Sequence, residues 1–471
     1  MNLRNLRHAN LRIPLIELKR SVAPWAGAVV LVAALAFLHL ISGPWWEGPA
    51  LWTAQWTSMA MWTRYLLFFL WPLAVGLGAL QGLRDHRSKI SELLASTPRP
   101  ARHRAAVLAG TTAFTLVSAF AVLVLVGAVL VLTGDSSYAH LGWLPISLVG
   151  ALALGAGAVL GMGVARALPS VLTPPALAVV ALLLTSFLRQ HQSSEHVVPT
   201  SAVPNRLSLL MPGVAEVRET LLTLSVPVHL GQTLWLLGMA ATGLALLAAA
   251  GPRARLLALT PLLAGGALAL LLLPAAPRDT YVVDRAAAAL VCDGPVCVTK
   301  ARQGRLDDLA GPGKEALSLL RGALGDQAPV AFHEIAVPRA LSARSQRSRE
   351  FVLMDFRDRA IGEAEGKRLT RALVAQGMVP LCRPRSATES GTQEDAVAQG
   401  IAIAWVFGEE PRPIDGTMHS AKDQAEMAGP VWEKFAALPQ AEQRQRMSAA
   451  HAAAVSCEGD PLTILADGAS R

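Results

Sequence analysis

Residues 256–279 read LLALTPLLAGGALALLLLPAAPRD. No residue from Leu256 to Ala276 carries a charge; Arg278 and Asp279 then arrive together. A helix needs about 20 mostly apolar residues to cross the hydrocarbon core of a bilayer. The run at 255–276 meets that length, and the charges behind it mark a change of medium. Composition changes at the same place. Of 34 acidic residues only eight precede residue 278 and 26 follow it; of 42 basic residues 18 precede it and 24, Arg278 included, lie from there onward. The first part is therefore net +10 and apolar, and the second is net −2 and ordinary in composition.

Upstream, six further runs have spanning length: 23–42, 60–81, 105–133, 142–165, 171–188 and 229–250. The fifth has Pro174 and Pro175 near its start. The hydrophobic share of 52% and mean hydropathy of +0.40 come from these runs. Charge at mid-depth is costly, and only Arg64 falls inside a run, near one end, where it is expected to snorkel to the interface. The fold class read from this pattern is an α-helical polytopic membrane protein of about seven spans with a C-terminal extracytoplasmic α+β domain over 277–471.

Loop charges set the orientation. With the N-terminus cytoplasmic, the inner segments hold 14 of the 18 basic residues in this part, leaving Arg64, Arg189, Arg206 and Arg218 outside. The reverse orientation violates the positive-inside rule. Trp45, Trp46, Trp52, Trp56 and Trp62 cluster around the first outer loop, as an interfacial belt does. Seven spans then leave the C-terminal domain outside a bacterial plasma membrane. The net charge of +8 is thus an orientation signal, not a nucleic-acid footprint.

All four cysteines, Cys292, Cys297, Cys382 and Cys457, lie in that last domain. An even number in an oxidising compartment suggests two disulfides. Cys292 and Cys297 flank the turn-forming Asp-Gly-Pro-Val, so a local bridge leaves Cys382 to pair with Cys457; four free buried thiols are the alternative.

Two segments face the inner leaflet. Residues 2–20 place Leu3, Leu6, Leu11, Leu15 and Leu18 among five basic residues, an amphipathic pattern suited to lying on the membrane, though Pro14 interrupts it. Between the second and third spans, Ser88 to Ala95 can form a short helix that Pro98 stops. This loop, with Glu92, Leu93 and Leu94 followed by Ala-Ser-Thr and Pro98, resembles the cytoplasmic loop of ABC exporter permeases of the type V fold (the ABC-2-like transmembrane subunits). In that family the loop forms the coupling helix seated on the ATP-binding subunit. The resemblance implies that Ser88, Ile90, Glu92, Leu93 and Leu94 meet the ATPase. It also implies an inner-leaflet helix at 1–21, a six-helix domain over 22–254 with inner loop 84–104, and an outer excursion between spans five and six. Here 189–228 is that excursion, with Leu207–Met211 and Val214–Leu224 as short helices dipping toward the membrane. The seventh span at 255–276 and the domain at 277–471 are additions to the family pattern.

Within the fourth span Ala153, Gly157, Gly161 and Ala165 recur every four residues, a small-residue stripe that lets helices approach within one subunit or across a dimer. No ATPase is encoded: Gly311-Pro-Gly-Lys-Glu lacks the first Gly and the final Ser or Thr of a P-loop. His333-Glu334 fails the HExxH pattern because position 337 is Val, and His333, His419 and His451 are single histidines with no metal-ligand spacing. No catalytic residue, metal or cofactor is expected in the chain. In the last domain Thr280–Val283, Val296–Thr299, Val330–His333 and Phe351–Met354 read as strands, and Glu365–Gln376, Glu394–Val406, Val431–Ala437 and Ala441–Ser456 as helices.

The function this implies is the permease subunit of an ATP-driven exporter. Its expected partners are a separate ATP-binding subunit carrying ATP and magnesium, a second or sister permease, and membrane lipid. The absence of intramembrane carboxylates and lysines disfavours an ion-coupled transporter. A membrane-anchored ligand-binding immunity or signalling protein and a membrane-anchored hydrolase are the competing classes.

Overall fold

The computed structural model describes residues 23–41, 43–46, 51–87, 101–134, 138–190, 192–193, 203–214, 220–276, 279–336, 347–356, 358–382, 392–414 and 420–467. Among them are six helices long and apolar enough to cross a membrane, and a bent helix pair that brings the number to seven if it is counted as one span. In chain order these are α1 (Ala23–Leu40), the pair α2 (Trp56–Tyr65) and α3 (Leu67–Gly82), α4 (Ala101–Thr133), α5 (Trp143–Ala167), α6 (Thr173–Gln190), α7 (Val226–Ala248) and α8 (Pro252–Leu272). The boundaries follow the apolar runs to within a few residues, because lipid forces every spanning backbone into a helix.

The large apolar side chains that point outward also fit lipid. Phe114 and Leu125 on α4, Leu183 and Phe187 on α6, and Leu263 and Leu271 on α8 are all exposed, a surface no water-soluble domain sustains. The helix α5 is the most buried span, while α6 and α8 are the least. The stripe of Ala153, Gly157, Gly161 and Ala165 turns inward against α3. A Cβ on Gly157 would collide with the Trp71 indole, and one on Gly161 with the Val75 carbonyl. Gly163 meets Gly243 of α7 in the same way. The stripe therefore serves packing inside the subunit.

Two features near the first spans differ from the reading of the sequence. The second span is broken, with α2 and α3 meeting at 50° across Leu66. Trp45, Trp52 and Trp62 do not ring the interface: they are buried and pack with the membrane core, while Trp46 alone of the four described tryptophans from 45 to 62 outside α2's first residue stays exposed.

The C-terminal domain is built on a four-stranded mixed sheet. A strand β1 (Leu222–Leu224), still in the membrane part, pairs antiparallel with β2 (Tyr281–Val283), the first strand of the domain. The sheet itself runs β3 (Leu290–Asp293), β4 (Val296–Thr299), β5 (Ala331–Glu334) and β6 (Phe351–Met354) in spatial order. The first pair is an antiparallel hairpin and the next two pairs are parallel. Between β4 and β5 the chain crosses over through α9 (Leu306–Leu324). Then come the single turn α10 (Arg359–Gly362), α11 (Gly366–Met378), α12 (Gln393–Phe407), α13 (Ala421–Ala436), α14 (Gln440–Ser456) and α15 (Pro461–Asp467). One apolar core joins the sheet to α9, α11, α12, α14 and α15.

The expected α+β arrangement thus becomes a strand–helix–strand unit with parallel neighbours. The β3 strand and α9 were not expected. α9 runs through Gly311-Pro312-Gly313, with Leu306, Leu309, Leu317, Leu320 and Leu324 all facing the core. Burial of that stripe outweighs the helix-breaking cost of Pro312. Gly313 is required there, since a Cβ would strike Val296 on β4. Val431–Ala437 proves to be the end of a longer helix that runs through Pro430.

Both disulfides form as expected, and no free cysteine remains. Cys292 and Cys297 are directly opposed in the hairpin, with Cα atoms 4.0 Å apart, and Gly294 takes the positive φ of 60° that its two-residue turn demands. Cys382 and Cys457 join the segment after α11 to the end of α14, 75 residues apart in sequence.

Candidate functional site

The sequence between α6 and α7 has no apolar run of spanning length, yet part of it is buried among the spans. Residues 208–210 form a single 3-10 turn, started by Asn205, whose Oδ1 accepts from Leu207 N at 3.0 Å and Ser208 N at 2.9 Å. Leu209 and Val214 then pack against Ala60, Met61, Ile146 and Val228, and Met211 is buried too. Irregular backbone at such a place must have every carbonyl paired inside the protein. Four consecutive carbonyls show how. Gln232 Nε2 donates to Leu209 O at 2.8 Å and Met211 O at 3.1 Å; Trp235 Nε1 donates to Leu210 O at 3.0 Å; Arg64 Nε donates to Pro212 O at 3.2 Å. Arg64 Nη2 closes the node by donating to Gln232 Oε1.

Arg64 therefore does not snorkel. It is fully buried, in the last turn of α2 beside the break in the span. Its charge has no carboxylate partner among the described residues; Tyr281 and His229 are titratable groups near it, and its Nη1 has no hydrogen-bond acceptor. The helix expected over Val214–Leu224 is absent over Thr220–Leu224, where the chain instead pairs as β1 with β2. A strand satisfies its backbone through a partner from the C-terminal domain, which local sequence could not reveal.

That pairing begins a junction between spans and domain. Ser225 N donates to Thr280 O at 3.0 Å, and Asp284 N to Leu221 O at 2.9 Å. Gln55, just before α2, donates to Thr220 O. From the domain, Arg302 Nη2 donates to the Thr220 hydroxyl at 3.2 Å, while its Nη1 meets Glu334 Oε1. Glu334 is buried and its Oε2 accepts from Thr299 N at 2.7 Å, which anchors the group on β4 and β5. The Arg302 guanidinium also lies 5.2 Å from the Phe356 ring centre. A continuous polar chain thus leads from the broken span, through Thr220, to the central strands of the domain.

No family model, curated protein or solved structure matches this chain. The site is accordingly read from its own geometry. Of the residues singled out in the sequence, Ser88, Ile90, Glu92, Leu93, Leu94, His419 and the segment 2–20 lie outside the described residues. Ala153, Gly157, Gly161 and Ala165 form the α3 contact, apart from the node. His333 stacks on Phe351 with ring centres 4.2 Å apart, and Glu334, its neighbour in the incomplete motif, is committed to Arg302. His451 Nδ1 donates to Met378 O at 3.0 Å, and burial holds its pKa below the usual imidazole value. Near the junction, His140 Nδ1 accepts from Gly142 N at 3.0 Å, which puts the proton on Nε2, 3.2 Å from the Thr57 hydroxyl. Burial lowers the pKa of His140 too, opposed by the Asp284 carboxylate.

The residues that sequence reasoning missed are Gln232, Trp235, Thr220 and Arg302. Gln232 was legible in part, as an amide inside an apolar run. Its partners were not, since they lie about 20 residues or more away in the chain and pair through backbone carbonyls.

Proposed function

We propose that the chain is the membrane-spanning subunit of an ATP-driven exporter, a permease of the ABC type powered by a separate ATP-binding subunit. The observation that carries this reading is the buried excursion between the fifth and sixth spans, held carbonyl by carbonyl by Arg64, Gln232 and Trp235. It corresponds to the outer excursion of the exporter permeases that the inner loop resembles. In this reading the N-terminus is cytoplasmic and the C-terminal domain extracytoplasmic. A second permease copy or a sister permease completes the path.

The break at Leu66 gives the second span a place to bend. ATP-driven closure of the partner subunits moves the loop 84–104, and with it α3 and α4, which flank that loop. The node at Arg64 and the junction through Thr220 then carry the motion to the excursion and the C-terminal domain. Discontinuous helices with a buried ionisable group are where transporters commonly place their substrate path.

Affinity purification of the full chain in mild detergent tests the proposal. An ATP-binding subunit is expected to copurify and to turn over ATP. Leu93→Asp with Leu94→Asp is expected to abolish that association while the protein still inserts. Absence of any ATP-binding partner, or full retention of binding and transport by the double variant, overturns the reading.

A further inference from the structure

A cleft in the C-terminal domain gathers four arginines from three separate elements. Arg359 comes from α10, Arg368 and Arg371 from α11, and Arg412 from the segment that follows α12. This concentration is local, because the chain from residue 278 onward has 24 basic against 26 acidic residues. Among the described residues Glu363 and Glu409 pair with these arginines. Glu363 lies 3.7 Å from Arg359, and Glu409 is shared between Arg371 and, at 4.0 Å, Arg412. Arg368 reaches no carboxylate among the described residues. The lining is thus left with a net positive charge, and a cleft with low-dielectric walls focuses that field.

The cleft is also built rather than accidental. Its floor is apolar, with Ile403 and Ala364 buried beneath it. Arg371 is held in place from two sides, by Glu409 and by the Phe407 ring, whose centre is 5.3 Å from the guanidinium carbon. The wall bearing Arg412 is fixed by Pro411 and Pro413 and by Ile414 N, which donates to Gln424 Oε1 at 3.0 Å. Its volume of about 140 Å³ has room for a tetrahedral anion and is smaller than the about 300–1,000 Å³ of drug-sized ligand sites. Guanidinium forks arriving from several directions suit an anion with three or more acceptor oxygens better than one planar carboxylate.

We propose that this cleft binds a phosphate group. The proposal is independent of the transport reading. The group can come from a soluble phosphate or from the phosphomonoester headgroup of a lipid, and the test separates the two sources. The full chain in detergent is titrated calorimetrically at low ionic strength with inorganic phosphate and, separately, with dihexanoyl phosphatidic acid. Saturable binding is expected, weakened about tenfold or more by Arg368→Gln with Arg412→Gln, the scale of one lost charge-assisted hydrogen bond. Both side chains are exposed, so unfolding is not the expected result, and a thermal melt of each variant verifies that. Lys314→Gln, which removes a cation paired with Asp293 away from the cleft, should leave binding unchanged. Binding of inorganic phosphate that the double variant loses assigns a soluble ligand; binding of the lipid alone, lost likewise, assigns a headgroup. No saturable binding of either probe, or equal binding by the double variant, overturns the proposal.

Discussion

Replacing Gln232 should destabilise the membrane part more than replacing the charged residue it serves. Gln232→Leu removes the acceptor for Arg64 Nη2 and the donors for two buried carbonyls, those of Leu209 and Met211. It leaves a fully buried guanidinium with one hydrogen bond, to Pro212 O. Breaking a buried charged contact from one side costs about 3–5 kcal/mol. Arg64→Met removes the charge itself. It strands Pro212 O and Gln232 Oε1, at about 1–3 kcal/mol each, but this is offset by the several kcal/mol needed to hold an ion out of water. The net for Arg64→Met is about 0–2 kcal/mol, and the double variant should be no worse than Gln232→Leu. Thermal unfolding of the full chain in detergent, followed by tryptophan fluorescence, reads the difference; Trp235 is itself in the node. The gap of about 2 kcal/mol or more corresponds to about 4–8 °C for a unit of this size. If Arg64→Met lowers the midpoint as much as Gln232→Leu, or the two effects simply add, Arg64 is not a cost that the node exists to offset. Under the proposed exporter function, a stable Arg64→Met variant without ATP-driven transport would show that the charge is kept for that function.

The two disulfides should differ in worth. In the chain-entropy treatment a bridge closing 75 residues contributes about 4.5 kcal/mol and one closing five about 2 kcal/mol. Urea-dependent proteolysis of the C-terminal domain within the full chain should therefore rank the Cys382→Ser and Cys457→Ser pair well below the Cys292→Ser and Cys297→Ser pair, and equal losses would contradict it. Acid should loosen the domain through His451. Its folded pKa is lowered by burial, so the unfolded chain binds the proton more readily; stability is whole above the unfolded value of about 6.5 and falls as pH drops below it. His451→Gln should flatten the pH profile below about 6.5, and an unchanged slope would exclude His451 as its source. Gly161→Leu should unseat α3 from α5, because its Cβ would enter the Val75 carbonyl; normal yield and melting of that variant would refute the packing.

Apolar run length alone marks the candidate spans, and a shift in charge marks where the polar C-terminal part begins. Lipid makes both legible, because it leaves the backbone no option but a helix and makes each charge expensive. The cysteine pairs were legible too, from a turn between two of them and from elimination of the rest. Arg64 shows where local reading stops. Its sequence neighbours suggest a snorkelling side chain, but Gln232 and Pro212 are more than a hundred residues downstream and draw it inward. The strand at Leu222–Leu224 stops being a helix for the same reason, since its partner is Tyr281–Val283. No element was assigned over Leu306–Leu324, and the buried leucine stripe packed on the sheet is what carries a helix through Pro312. The arginine cleft had no signature at all, as its members are spread from 359 to 412 with no common spacing. Sequence alone determined the membrane class and the domain boundary, because water and lipid act on each residue where it stands. Tertiary structure decided the node, the junction and the cleft, because a buried polar group is satisfied by whatever the fold brings beside it.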